Sequence, residues 1–199
     1  MRTGTRRAAL VGFGAAAAGT LAVASILRKP PPPVVFSPVV EPAQPDAGLQ
    51  PITALVETAH PAPPADVAFS DASGASFHLS EFAGSGLVVN LWATWCVPCV
   101  VELPTLAALR GKLSGDKIVV LALSVDRGGA PVVEKFLAAH HLDLQVWLDP
   151  KGEATRAWGA RGIPTTLIID RHGLERGRLE GSADWASEAS VARIKALVG

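Results

Sequence analysis

Two near-continuous apolar runs constrain this chain more than anything else in it. GLVVNLWA (residues 86–93) and KIVVLALSV (117–125) are rich in valine and leucine, as strands buried on both faces must be, because a covered parallel sheet has no solvent side to alternate toward. Between them residues 97–113 have helical spacing with Pro104 inside; a proline there removes one backbone donor and is expected to kink the helix without ending it. Downstream, APVVEKFLAAHH reads as an amphipathic helix, LQVWL as a short strand and GEATRAWGA as a helix. TTLIID and LERGRLEG pair as a hairpin across residues 171–173, and residues 184–198 close as a helix capped by Asp184. Upstream, DVAFSDASGASFHL gives two short strands around Ser73 and Gly74, followed by one helical turn in LSEFAG. The expected fold class is α/β: a three-layer sandwich with a mixed central sheet flanked by helices and an extra N-terminal β-hairpin.

At 199 residues and 49% hydrophobic, the chain has room for one domain with a sizeable core. Its zero formal charge is unevenly spread: Arg2, Arg6, Arg7, Arg28 and Lys29 precede a stretch, residues 30–102, with no Lys or Arg. Neither part carries the basic stripe that nucleic acid demands, so no nucleic-acid partner is expected. The uncharged residues 8–27 behind three arginines suit a helical span of about 30 Å. Being rich in Ala and Gly, and containing AVAS as an A-x-A cleavage site, they fit a membrane anchor or a cleaved signal; both readings stay open, and TRRAAL fits twin-arginine export as well as an ordinary basic leader. Either way, the rest of the chain is expected outside the cytoplasmic membrane. Residues 30–65 hold most of the 16 prolines, a composition that argues against a packed core. Extended at about 3.1 Å per residue, they would reach on the order of 100 Å as a spacer, with ITALVETA as a short helix within it. The expected organisation is signal or anchor over 1–29, proline-rich linker over 30–65 and one domain over 66–199.

The only two cysteines lie in WCVPC, where the first core strand hands over to its helix. Carboxyl ends of strands in open α/β sheets are where chemistry collects, and a helix N-terminus stabilises a thiolate. Cys96 is therefore the expected nucleophile. Cys99, one turn in and less exposed, is close enough to close a disulfide with it and is the natural resolving thiol. Pro98 in the first turn costs little, since the N–H it lacks would be an orphan there. A zinc site would need four ligands, and the five histidines (His60, His78, His140, His141, His172) show no spacing that supplies them. Covalent haem would need His where Val100 stands. An inert structural disulfide is permissible in an exported protein, but so short a loop gains little from it. No metal or other cofactor is expected. Glu102 follows Cys99 by three residues, on the same helix face. Its carboxylate either exchanges protons with the thiol pair or merely complements the helix dipole.

NLWATWCVPCVVELP (residues 90–104), with GIPT (162–165) further on, resembles the thioredoxin superfamily, and more narrowly the membrane-tethered, extracytoplasmic thiol-disulfide oxidoreductases of the TlpA/ResA type, nearest to the TlpA branch. The likeness extends from about residue 65 to the end and implies a thioredoxin-like sandwich. It makes Cys96 the attacking thiol, Cys99 the resolving thiol and Glu102 an acidic modulator. It makes Ile163 and Pro164 a cis-proline loop facing the disulfide and pairing with the substrate's backbone, and it places Trp92 and Trp95 at the flanking aromatic positions, whose plainer role is core packing. Two departures stand out. Asn90 occupies the place of the buried acid of cytoplasmic thioredoxins, which shifts proton handling to Glu102. Val100 and Val101 stand where many relatives carry Lys or Arg. The further disulfide of the TlpA branch cannot form with two cysteines.

The leading expectation is an enzyme that reduces disulfides of exported proteins, with metal-site or haem-site cysteines in respiratory oxidase and cytochrome assembly as clients and a membrane thiol carrier as electron donor. It is expected to act as a monomer on the periplasmic side of the membrane. A copper(I) chaperone using both thiols, with His172 in support, is the alternative. A thioredoxin-fold peroxidase ranks third, because such enzymes share a threonine two residues further from their cysteine than Thr94 is from Cys96.

Overall fold

The computed structural model describes residues 48–199, so the expected signal or anchor and the linker as far as residue 47 lie outside the described residues. The long apolar runs form β4 (Gly86–Trp92) and β5 (Ile118–Ser124), paired in parallel from Gly86 against Ile118 to Trp92 against Ser124. β5 continues in parallel to β6 (Trp147–Leu148), while β7 (Thr165–Ile169) lies antiparallel on the other side of β4, followed by β8 (Glu175–Glu180). Three short strands complete the sheet: β1 (Val56–Glu57) on β8, and the hairpin β2 (Phe69–Asp71) and β3 (Ser76–Phe77) beyond β6. The order β1-β8-β7-β4-β5-β6-β2-β3 makes a mixed sheet with the short strands at its edges, where lost pairing costs least.

Alternation along β4 explains the two apolar layers. Val88 and Trp92 face α1 (Val97–Lys112), α2 (Ala130–Ala139) and α4 (Glu188–Val198); Leu87, Val89 and Leu91 face α3 (Glu153–Ala157), the hairpin and Trp158. β4 is buried at every position, which is why its sequence runs apolar instead of alternating. α1 passes through Pro104 without ending, because Cys99, Leu103, Leu106 and Leu109 hold its inner face in the core. Among the described residues no helix is long and apolar enough to cross a membrane.

Two expectations change. Residues 50–65 belong to the domain, not to a spacer. Ile52 and Leu55 are buried in the core, Val56 and Glu57 pair with β8, and the Ala65 carbonyl accepts the Trp158 indole N–H at 2.8 Å. ITALVETA is a short 3₁₀ turn (Ile52–Ala54) followed by a strand; apolar residues three apart were enough to dock it despite the surrounding prolines. The last helix starts at Glu188 with Ser187 as its cap, the hydroxyl accepting the Ser190 N–H. Asp184 instead closes a local turn by accepting the Ala186 N–H at 3.1 Å, because the intervening Trp185 is drawn fully into the core.

Candidate active site

Cys96 and Cys99 are joined in a disulfide, with Cα atoms 5.3 Å apart. β4 delivers them: its last residue, Trp92, is locked to Phe136 of α2 at 5.7 Å between ring centroids, and its carbonyl accepts the Val125 N–H. Cys96 is the N-cap of α1, its sulfur accepting the Cys99 N–H at 3.3 Å, and Pro98 occupies the first turn. The same N–H is placed to stabilise a thiolate once the bond is reduced. Cys96 keeps 6% of its surface exposed and Cys99 none, which makes Cys96 the outer residue of the pair.

The Ile163–Pro164 peptide bond is cis, and the Ile163 carbonyl oxygen lies 3.7 Å from the Cys96 sulfur. The loop is held from behind by the Gly181 N–H, which donates to the Pro164 carbonyl at 2.8 Å. Trp95 and Val97 flank the pair at 68% and 74% exposure, so of the two flanking tryptophans only Trp92 is a core residue. Beside the loop, Arg161 makes a bidentate pair with Glu180 and pulls that carboxyl below its ordinary range. Trp95 and Val97 make the exposed surface next to Cys96 apolar.

Glu102 is fully buried one turn beyond Cys99. Oε1 accepts from the Asn90 side-chain amide at 2.8 Å; Oε2 accepts from the Ala183 N–H at 2.9 Å and from the Trp185 indole at 2.8 Å. Burial pushes its carboxyl up to about 7, against the opposing pull of these three donors. None of the donors is charged, so the carboxyl titrates near neutrality and does not stay ionised in an ion pair. Asn90, which also donates to Thr166 Oγ1 at 2.9 Å, thus orients the acid instead of replacing it. The dipole-complement reading of Glu102 fails, since its oxygens bond side chains and a loop, not the helix's own N–H groups.

Asp126, Ala183 and Trp185 escaped the sequence reading. Asp126 is buried and accepts from the Thr94 N–H at 2.9 Å and the Thr94 hydroxyl at 2.7 Å, clasping the turn before Cys96. An acid closing a buried strand at its chemistry-bearing end was the available signal; for Trp185 it was a tryptophan stranded in the polar segment SADWAS. The Thr94 hydroxyl is committed to Asp126, away from the sulfur. His172 sits on the β7–β8 turn, next to Ile169, which pairs with Leu87 at the start of β4. A strand of about 3.3 Å per residue separates that end from the cysteines, so His172 cannot join them as a copper ligand, and among the described residues no cluster of three His, Cys, Asp or Glu is arranged to hold a metal.

The model of the AhpC/TSA family matches residues 58–175. The thiol-disulfide oxidoreductase ResA of Bacillus thuringiensis subsp. konkukian is 32% identical over 104 residues, 52% of this chain and 60% of that protein. ResA of Geobacillus thermodenitrificans is 31% identical over 119 residues, 59% of this chain and 67% of that protein. The match therefore spans less than two thirds of the Bacillus relative's length. Among solved structures, a thiol:disulfide interchange protein DsbE from Chlorobium tepidum superposes with a TM-score of 0.63 at 30% identity, covering 70% of this chain and 97% of that one. StoA of Bacillus subtilis, at 22% identity and a TM-score of 0.55, shares the fold.

Proposed function

We propose that this chain, which belongs to the AhpC/TSA family, is a thiol-disulfide oxidoreductase that works as a reductant of disulfides in exported proteins. The carrying observation is the Cys96–Cys99 disulfide at the start of α1, its outer sulfur facing the Ile163 carbonyl and its inner sulfur followed by a buried acid that titrates near pH 7. In the reduced enzyme the Cys96 thiolate attacks one sulfur of a client disulfide; the S–S bond breaks, one client thiolate leaves, and a mixed disulfide forms. Cys99 then gives up its proton, for which Glu102 is the nearby acceptor, and attacks the Cys96 sulfur. The second client thiolate departs, so the client has gained two electrons and the enzyme is left oxidised. The ResA relatives, named as thiol-disulfide oxidoreductases, support the reaction class.

The clients are metal-site or haem-site cysteines of proteins in respiratory oxidase and cytochrome assembly, engaged as extended segments against Trp95, Ile163 and Pro164. The electrons come from a membrane thiol carrier. The enzyme sits on the periplasmic side of the cytoplasmic membrane, tethered by its N-terminal segment. The apolar rim around Cys96 supports clients whose cysteines are flanked by uncharged residues. The test is the equilibrium potential of the Cys96/Cys99 pair in the full chain, titrated against a thiol buffer. A value at or below about −230 mV is expected for a reductant; one near −120 mV would make the protein an oxidant and sink the assembly reading. Cys96→Ser must abolish insulin reduction, and retained activity would remove the nucleophile assignment.

A further inference from the structure

Gly48 and Gln50, the first part of the described chain, attach at the end of the sheet that carries the cysteines. The Gln50 N–H donates to the Ser182 carbonyl at 2.8 Å, and Gln50 forms a parallel bridge with Ala183. The Gln50 side-chain amide donates to the Glu180 carbonyl at 3.2 Å, and the Ser182 hydroxyl donates to the Gly48 carbonyl at 3.2 Å. Between these contacts lies Gly181, at φ +104°, a backbone conformation that favours glycine, where a Cβ would meet the end of the Gln50 side chain. The other side of this same segment serves the disulfide. Gly181 donates to the Pro164 carbonyl, Ala183 donates to Glu102 Oε2, and Trp185 supplies that oxygen's second donor.

We propose that residues 48–50 act as a strap that positions the redox site, with Gln50 as the positioning residue: by clamping residues 180–183 it holds in register the N–H groups that serve Glu102 and the cis-proline loop. Gln50 touches neither cysteine nor a client. It acts through the segment. The groups bonded to Glu102 are Asn90 from β4, Ala183 and Trp185, all neutral. Cys96 and Cys99, one turn back on α1, are joined in the disulfide and carry no titrating thiol in this state, while the nearby Asp184 carboxylate is turned to the Ala186 N–H. Slackening the strap therefore loosens donors that favour the ionised carboxylate, with no charged group to compensate, and Glu102 must hold its proton to higher pH. The proposal relies on the oxidoreductase reading only in naming the site it serves.

The test follows the carboxyl ¹³C resonance of Glu102 against pH in the full-length oxidised chain, alongside two variants. Gln50→Met keeps the side-chain length and removes the donor to Glu180. Gln50→Pro removes the backbone donor to Ser182 as well. The wild-type midpoint should lie at about 7. Both variants should move it upward, Gln50→Pro by at least about half a pH unit and Gln50→Met by less. A midpoint unchanged in both, even with lower stability to urea, overturns the proposal, because a merely structural contact would cost stability without touching the titration. Should the proline variant not fold, Gln50→Met decides the matter alone. The resonance needs no substrate, so a wild-type protein without exchange activity would sink the functional reading while leaving this result interpretable.

Discussion

Two tryptophans, Trp185 and Trp147, are both buried, and the molecule uses them in opposite ways. Trp147 lies on β6 among Phe69, Phe77 and Phe82, with edge-on ring contacts of 5.1 to 5.8 Å, and its indole N–H has no partner among the described residues. Trp185 spends its indole N–H on a buried carboxylate. The first corner is ring packing, with one unpaired indole N–H inside it. The second is inverted: Glu102 is fully buried while Trp95 and Val97 stand in solvent. Burying an acid and exposing a tryptophan both cost free energy in water, and the inversion falls at the cysteine pair.

Breaking the ordinary corner should give the largest loss. Trp147→Ala should cost about 3 to 5 kcal/mol in urea unfolding and leave the potential of the cysteine pair unchanged; a shifted potential would mean the corners are coupled and the contrast is false.

The inverted corner should instead answer to pH. The Glu102 carboxyl, at about 7 when folded against an ordinary 4.5, holds its proton in the folded state over a window where the unfolded chain has released it. The folded state binds more protons there, so stability should fall as pH rises from about 4.5 through 7, by on the order of 3 kcal/mol in all. Unfolding curves collected from pH 5 to 8 should show this decline in the wild type and a flat response in Glu102→Gln. A wild-type profile already flat would refute the buried-acid account.

Trp185→Phe sharpens the point by removing a single donor. It should cost about 1 to 3 kcal/mol at pH 8, where the carboxylate is left short of a partner, and less at pH 5. Equal losses at both pH values would show that ring volume, not the hydrogen bond, is what matters. The smallest stability effect belongs to Trp95→Ala, under about 0.5 kcal/mol, yet that variant should reduce protein disulfides more slowly while small-molecule disulfides react as before. If both classes slow together, Trp95 tunes the sulfur and does not meet the client.

Much of the site was legible because it is local. WCVPC places both cysteines and a helix N-terminus within one turn, and the apolar runs on either side locate that turn at the end of a buried strand. Pro164 and Ile163 were reachable only through resemblance, since nothing in GIPT itself says which disulfide the loop will face. Asp126 and Trp185 went unread because each acts across the fold, on residues 32 and 83 positions away, and a carboxylate or an indole carries no mark of its distant partner. The same limit misplaced the domain boundary: proline content argued for a spacer but could not say that residues 50–65 would find a sheet edge.

By itself, then, the amino-acid sequence determined the α/β alternation, the position of the dithiol and the presence of an acid on its helix face, all of which follow from periodicity and spacing along a few turns of chain. Only the tertiary structure decided what that acid is. The elevated affinity of Glu102 for its proton arises from full burial opposed by donors drawn from β4 and from the segment after β8, and desolvation is a property of what surrounds a group in space, which no window along the chain contains.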